Sequence, residues 1–195
     1  VIECEGLNSA LRAATRVSFD RLDSDGCMST NDQVTLMASG ASGIAPDAVE
    51  FQRVLTQLCL ALSHQLLGDA EGSSHDIAIR VEGAESEDDA VAVGRAVARN
   101  NLFKAAMFGG DPNWGRVLAA IGTVDASFDV YGVDVSMNGV LVCHAGAPDR
   151  PRGEVDLSHR ALEVLIELHA GEKDATIWTN DLTHDYVHEN SAYSS

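Results

Sequence analysis

Lysine is almost missing from this sequence: Lys104 and Lys173 are the only two in 195 residues. Acidic side chains outnumber basic ones 30 to 13, and the formal net charge is −17. Such a field repels a phosphate backbone and an anionic bilayer surface, so nucleic acid and membrane are excluded as natural partners. Cysteine is sparse as well. Cys4, Cys27, Cys59 and Cys143 form no C-x-x-C pair, and the pattern reads as reduced, buried thiols of a cytosolic protein rather than a disulfide framework or a zinc site. No apolar stretch approaches the ~18 residues of a membrane span, and no signal peptide is visible. An initiator methionine is lacking too: the chain opens at Val1-Ile2-Glu3, as a processed chain or a fragment would. The remaining composition is that of a globular protein, 45% hydrophobic and 22% charged, long enough to bury a real core.

Periodicity and turn residues then predict elements. Asn8-Ser9 reads as the start of a helix over 10–20. Residues 32–39 alternate, with Val34, Leu36 and Ala38 on one side, and predict a strand. A helix from Asp47 carries Phe51, Val54, Leu55, Leu58, Leu62 and Leu66 on one broad apolar stripe and stops at Gly68. His75 to Glu82 alternates through Ile77, Ile79 and Val81, a second strand. Ser86-Glu87-Asp88-Asp89 opens a helix that runs to about Arg99 and leaves at Asn100. Leu102–Phe108 is expected as a strand, and Asp111-Pro112 as the cap and first residue of a helix to Ile121. Asn138-Gly139 marks a hairpin between 133–137 and 140–143, and the loop 170–174 marks another between 162–169 and 175–179. Residues 146–153 are the most linker-like. Strands and helices mix without strict alternation, so the fold class is α+β, a layered α/β arrangement, divided at 1–72 and 73–195.

Each candidate for chemistry has a plain structural alternative. Ser29 and Thr30, in Cys27-Met28-Ser29-Thr30-Asn31-Asp32, lack a G-x-S-x-G elbow or an adjacent base, and capping or turn roles suffice for them. His184 and His188 have zinc-binding i, i+4 spacing but no following Glu and no third ligand, so they read as surface histidines. Asp111-Pro112-Asn113-Trp114-Gly115-Arg116 could receive an anion at a helix start, but Asp111 would itself occupy that position, which leaves an architectural role. Glu71, in a loop between helix and strand, is placed to meet a cationic group, as any loop glutamate is. The tail 189–195 is polar and of a kind that frays.

Five blocks taken together say more: STND at 29–32, DAEG at 69–72, FGGDPNWGR at 108–116, TNDLTHDYV at 179–187 and ENSAYSS at 189–195. In this order and spacing, over almost the whole chain, they resemble the β chain of the ornithine acetyltransferase family, the glutamate N-acetyltransferases of arginine biosynthesis. The resemblance implies a cytoplasmic, self-cleaving enzyme with mixed sheets and helices packed on them. A threonine at the new β N-terminus takes acetyl from N-acetylornithine, releases ornithine, and passes the acetyl to glutamate by a ping-pong route. It also implies an α chain from the same precursor, supplying oxyanion donors, and αβ units that assemble further. No cofactor is implied, and acetyl-CoA is left open as an alternative donor.

The implied nucleophile lies upstream of Val1, so no catalytic residue is expected here and the isolated sequence is expected to be inactive. Ser29 and Thr30 belong to the scaffold. Three substrate-binding positions carry over: Glu71 for the substrate amino group, and Asn190 and Ser195 in a tail that closes over the substrate. One departure stands out. The family usually follows Glu-Gly with a Thr-Lys pair, where this chain reads Ser73-Ser74-His75-Asp76. Other readings consistent with the sequence are an aminopeptidase or amidase of the related self-cleaving fold, a secondary-metabolite paralogue, and a non-catalytic interaction module.

Overall fold

The computed structural model describes residues 2–192. Its elements run α1 (Cys4–Arg16), α2 (Ala48–Gly68), β1 (Asp76–Ala84), α3 (Glu87–Ala98), α4 (Asn101–Phe108), α5 (Trp114–Ile121), β2 (Asp134–Met137), β3 (Val140–His144), β4 (Ala147–Pro148), β5 (Ala161–Glu167), β6 (Lys173–Asn180) and α6 (His184–Ser191), with 3₁₀ turns at Phe19–Arg21 and Arg152–Glu154. They form two compact units, one of residues 1–22 and 27–66, the other of 23–26 and 67–195.

The first unit is helical. Ala10 and Ala14 of α1 meet Leu55 and Cys59 of α2, with Phe19, Leu36 and Phe51 packed around them, and Gln52 Nε2 donates to the Ala10 carbonyl at 3.2 Å. Helix α1 starts ahead of Asn8-Ser9, which sit inside it. Residues 32–39 form no strand: Val34 and Met37 are exposed, and Leu36 alone of that stretch joins the small core. The expected stripe on α2 is also displaced. The helix buries Leu55, Cys59, Ser63 and Leu67, whereas Val54, Leu58, Leu62 and Leu66 form an exposed row at i, i+4 spacing.

The second unit is built on a six-stranded sheet of order β4-β3-β2-β5-β1-β6. Ile77, Ile79 and Val81 of β1 alternate onto one face with no exposure at all, beside Val164 and Ile166 of β5, Ile177 of β6, and Val135 and Met137 of β2. Helices α3, α4 and α5 supply the opposing layer through Val93, Val97, Phe103, Met107 and Val117. The sheet is mixed, since β1 runs parallel to β5 and antiparallel to β6.

Local signals succeed where they are self-contained. Ser86 caps α3 by accepting from Asp89 N at 3.0 Å, and Asn138-Gly139 turns β2 into β3 with φ of 46° and 78°, the left-handed pair of a tight hairpin. In this unit they fail in three places. Leu102–Phe108 lies in α4, capped by the same Asn100 that ends α3: its Oδ1 accepts from Phe103 N at 2.9 Å. Helix α5 is capped by Asn113, two residues beyond Asp111, and starts at Trp114. The hairpin around 170–174 does not exist, because β1 is inserted between β5 and β6. The connection arches roughly 10 Å over the end of β1, fastened by Leu168 N to the Glu82 carbonyl at 3.0 Å and by Ala170 N and Gly171 N to the Gly83 carbonyl at 2.7 and 2.8 Å.

Helix α3 sits on the sheet through Gly94, where an added Cβ would come within 2.6 Å of Ile177 Cγ1 and 3.6 Å of Val81 Cγ2. Gly94→Ala therefore forces the layers apart. A loss of about 1–3 kcal/mol is expected, read as a lower urea midpoint of the protein made from its complete gene; an unchanged midpoint would show the layers closing elsewhere.

Candidate functional site

Helix α2 ends against β1 with only residues 69–75 between them, and this turn holds Glu71. Gly72 takes φ of +62°, and its Cα faces the first turn of α6 so closely that a Cβ would lie 2.4 Å from Tyr186 N and 2.6 Å from the Asp185 carbonyl carbon. Only glycine fits, on both counts. Thr183 caps α6, accepting from Tyr186 N at 2.9 Å while its hydroxyl donates to the Gly72 carbonyl at 2.6 Å. Two turns of sequence are thereby locked together.

Asp181 completes the lock from beneath. Its side chain has no exposure. One oxygen accepts from Ser74 N and His75 N, both at 2.9 Å. The other accepts from the Ser74 hydroxyl and lies 2.9 Å from His75 Nδ1. Burial pushes this carboxyl upward, but the side-chain and backbone donors of Ser74 and His75 outweigh it and hold it below the ordinary carboxylate range. Asn180 bonds the Leu67 and His75 carbonyls at 3.2 and 3.1 Å. Arg160 grips Asp76 with two nitrogens at 2.9 and 3.0 Å and reaches the Gly68 carbonyl at 2.8 Å.

On this frame Asn190, in the last turn of α6, donates from Nδ2 to Glu71 Oε2 at 3.0 Å and to the Tyr186 carbonyl at 2.9 Å. Both side chains are exposed. Two of the three positions singled out from the sequence, 119 residues apart, are thus in direct contact. The third, Ser195, lies outside the described residues. Among the described residues Asn190 is the hydrogen-bond partner of Glu71, through Oε2, and a second carboxylate oxygen on an exposed side chain is of the kind that meets an ammonium group.

The other candidates lie apart from this contact, and each has structural partners of its own. Ser29 and Thr30 are exposed, with Ser29 Oγ accepting from Asn31 N at 3.2 Å and Thr30 bonded to Asn31. The His184 ring stands edge-on to Phe108 at 5.4 Å, and no group of three or more metal-ligating side chains occurs among the described residues. Trp114 packs on the main core, and Asp111 accepts from Asn113 Nδ2 at 2.9 Å and faces Arg152. Of the cysteines, Cys59 and Cys143 are buried, but Cys4 and Cys27 are exposed, against the expectation for all four. Among the described residues no helix is long and apolar enough to cross a membrane.

Sequence reasoning passed over Lys104, Asp181 and Thr183. The signal was there for Thr183, a hydroxyl three residues ahead of Tyr186 N at a helix start. Lys104 is 3% exposed. It donates to the Ser24 carbonyl and to Thr179 Oγ1, the latter at 3.0 Å. Burial lowers its pKa to about 8, against the pull of Asp25, Asp23 and Asp181.

The comparisons agree with this architecture. The crystal structure of arginine biosynthesis bifunctional protein ArgJ from Bacillus halodurans matches with a TM-score of 0.92 at 31% identity, over 98% of this chain and 95% of that one. That fixes the class, a mixed α+β sheet with helices packed on it. The ArgJ family model matches residues 1–195. Curated proteins named arginine biosynthesis bifunctional protein ArgJ are 59% identical in Thermobifida fusca (strain YX) and 48% identical in Mycobacterium leprae (strain TN), each over 100% of this chain. The chain spans about half of their length, 51% and 48%. It belongs to the ArgJ family.

The lowered pKa of Lys104 has a consequence for stability. Unfolded, the amine keeps its proton up to its ordinary 10.5; folded, it releases it near 8. The cost of burying the charge is present in full below pH 8 and is relieved as pH rises toward 10.5. The stability of the protein from its complete gene, relative to a Lys104→Met variant, should therefore increase between pH 8 and 10.5 in urea titrations. A flat difference would mean that the folded amine titrates normally.

Proposed function

We propose that this chain is the β-chain portion of an ornithine acetyltransferase, a cytoplasmic enzyme that moves acetyl from N-acetylornithine to glutamate. The observation that carries this reading is the Glu71–Asn190 contact, built on a fold shared with ArgJ proteins. In it, the hydroxyl of a threonine upstream of this sequence, at the N-terminus of the self-cleaved β chain, attacks the acetyl carbonyl carbon. The C–N bond breaks, ornithine leaves with the proton, and the glutamate amine then takes the acetyl from the threonine ester. Glu71 holds the substrate amino group, and Asn190 and Ser195 close over it. The chemistry calls for no cofactor; acetyl-CoA as a second acetyl donor is in keeping with the word bifunctional in the relatives' names.

The deciding experiment is the intact mass of the chain bearing this sequence, purified from the complete gene, before and after N-acetylornithine. An upstream N-terminal threonine that gains one acetyl, which glutamate then removes, is expected. Acetate released without transfer would favour the amidase, and no acetylation would favour a non-catalytic module. At the site, Glu71→Gln should raise KM for N-acetylornithine about tenfold or more. Deletion of residues 190–195 should raise KM or abolish turnover; unchanged kinetics would remove the tail from the site.

The partner in this reading is the α chain of the same precursor, with αβ units assembling further. The row of Val54, Leu58, Leu62 and Leu66 on α2, 48%, 54%, 43% and 59% exposed, supports a partner on that face. Leu58→Asp with Leu62→Asp should release the upstream chain on gel filtration, and continued co-elution would place the α chain elsewhere.

A further inference from the structure

Glu71 and Asn190 are themselves exposed, on a turn and at the last turn of a helix, where side chains are ordinarily free to wander. One residue that holds the turn from beneath touches neither. From the geometry we infer that Asp181 is the positioning residue of this site: by gathering four donors from Ser74 and His75 onto one buried carboxylate, it sets the turn that presents Glu71 to Asn190. The inference rests on the substrate role proposed above for Glu71.

The argument is one of connectivity. Asp181 directly follows β6 and lies two residues before Thr183, the cap of α6. Its carboxylate is therefore rigid relative to both the sheet and the helix that carries Asn190. The turn it grips begins two residues after Gly72 and three after Glu71, so a shift at 74–75 displaces Glu71 relative to Asn190. All four donors come from that turn and none from α6. Losing the carboxylate loosens residues 74–75 while leaving both bonds of Thr183, from Tyr186 N and to the Gly72 carbonyl, intact. Alanine at this position removes the grip outright. An amide would keep its oxygen for the two backbone N–H groups and could donate its N–H₂ to the Ser74 hydroxyl and to the other tautomer of His75, so it is the conservative variant.

The test is a cycle of Asp181→Ala, Glu71→Gln and the double variant in the self-processed enzyme from the complete gene, with KM and kcat read for N-acetylornithine. Asp181→Ala should raise KM about tenfold with a smaller change in kcat. The double variant should be no worse than Glu71→Gln alone, because a residue acting through Glu71 has nothing left to position. KM effects that multiply, or a KM unmoved by Asp181→Ala, would overturn the proposal while leaving Glu71 in the site. If Glu71→Gln itself leaves KM unchanged, the substrate role of Glu71 fails, and the positioning role falls with it. Should Asp181→Ala not fold, Ser74→Ala removes one donor from the same carboxylate with the backbone intact. It is expected to show the same non-additivity at about two- to threefold in KM, and additivity there would overturn the proposal equally.

Discussion

The close approach of Gly72 to the first turn of α6 is the constraint on which the site depends. A backbone nitrogen where a Cβ would stand leaves no slack between the turn after α2 and the helix near the chain end. Everything around it serves that approach. Thr183 satisfies the helix start and the Gly72 carbonyl with one hydroxyl. Asn180 and Arg160 tie down the backbone on either side. The contact is made by polar groups that would cost heavily if left unpaired, so the turn has one arrangement rather than several.

A second polar assembly lies at the same end of β6, around Trp178 and Thr179. Residues 23–26 are grafted onto the sheet unit by Asp23 N on the Trp178 carbonyl at 2.8 Å, Thr179 Oγ1 on the Asp23 carbonyl at 2.7 Å, and Arg99 on the Asp23 carboxylate at 2.7 Å. Lys104 stands in the middle. One of only two lysines in a chain of charge −17, it is spent inside the fold, where the acidic groups that lower the chain's net charge partly offset its desolvation. Tyr186 then reaches Asp25 at 3.2 Å, which connects this graft to the helix that bears Asn190.

What the sequence disclosed and what it hid follow from the range of the forces involved. The strand through Ile77, Ile79 and Val81, the Ser86 cap and the Asn138-Gly139 hairpin rest on neighbours within a few residues, and they were legible. The false strand at 102–108 shows the limit of short apolar runs. The run 102–108 is apolar at every position but Lys104 and so suits either element; the buried set Phe103, Ala106 and Met107 has helical spacing, and the Asn100 cap opens that helix. The absent hairpin at 170–174 turned on β1, some ninety residues away. Likewise Asp181 looked like any acid, because its four donors sit more than a hundred positions upstream. Glu71 and Asn190 were legible only through a pattern of five blocks; no local rule joins them.

The departure at Ser74-His75, where the family resemblance leads one to look for Thr-Lys, is accommodated by the same carboxylate. Three of the four bonds to Asp181 come from backbone N–H groups and a hydroxyl, which a threonine supplies as well as a serine. Only the fourth depends on residue 75, and both an imidazole N–H and an ammonium can donate it. The imidazole donates from a planar ring close to the backbone, whereas an ammonium would do so from a long stem with three rotatable hydrogens. The exchange therefore keeps the grip on the turn and changes its stiffness and charge.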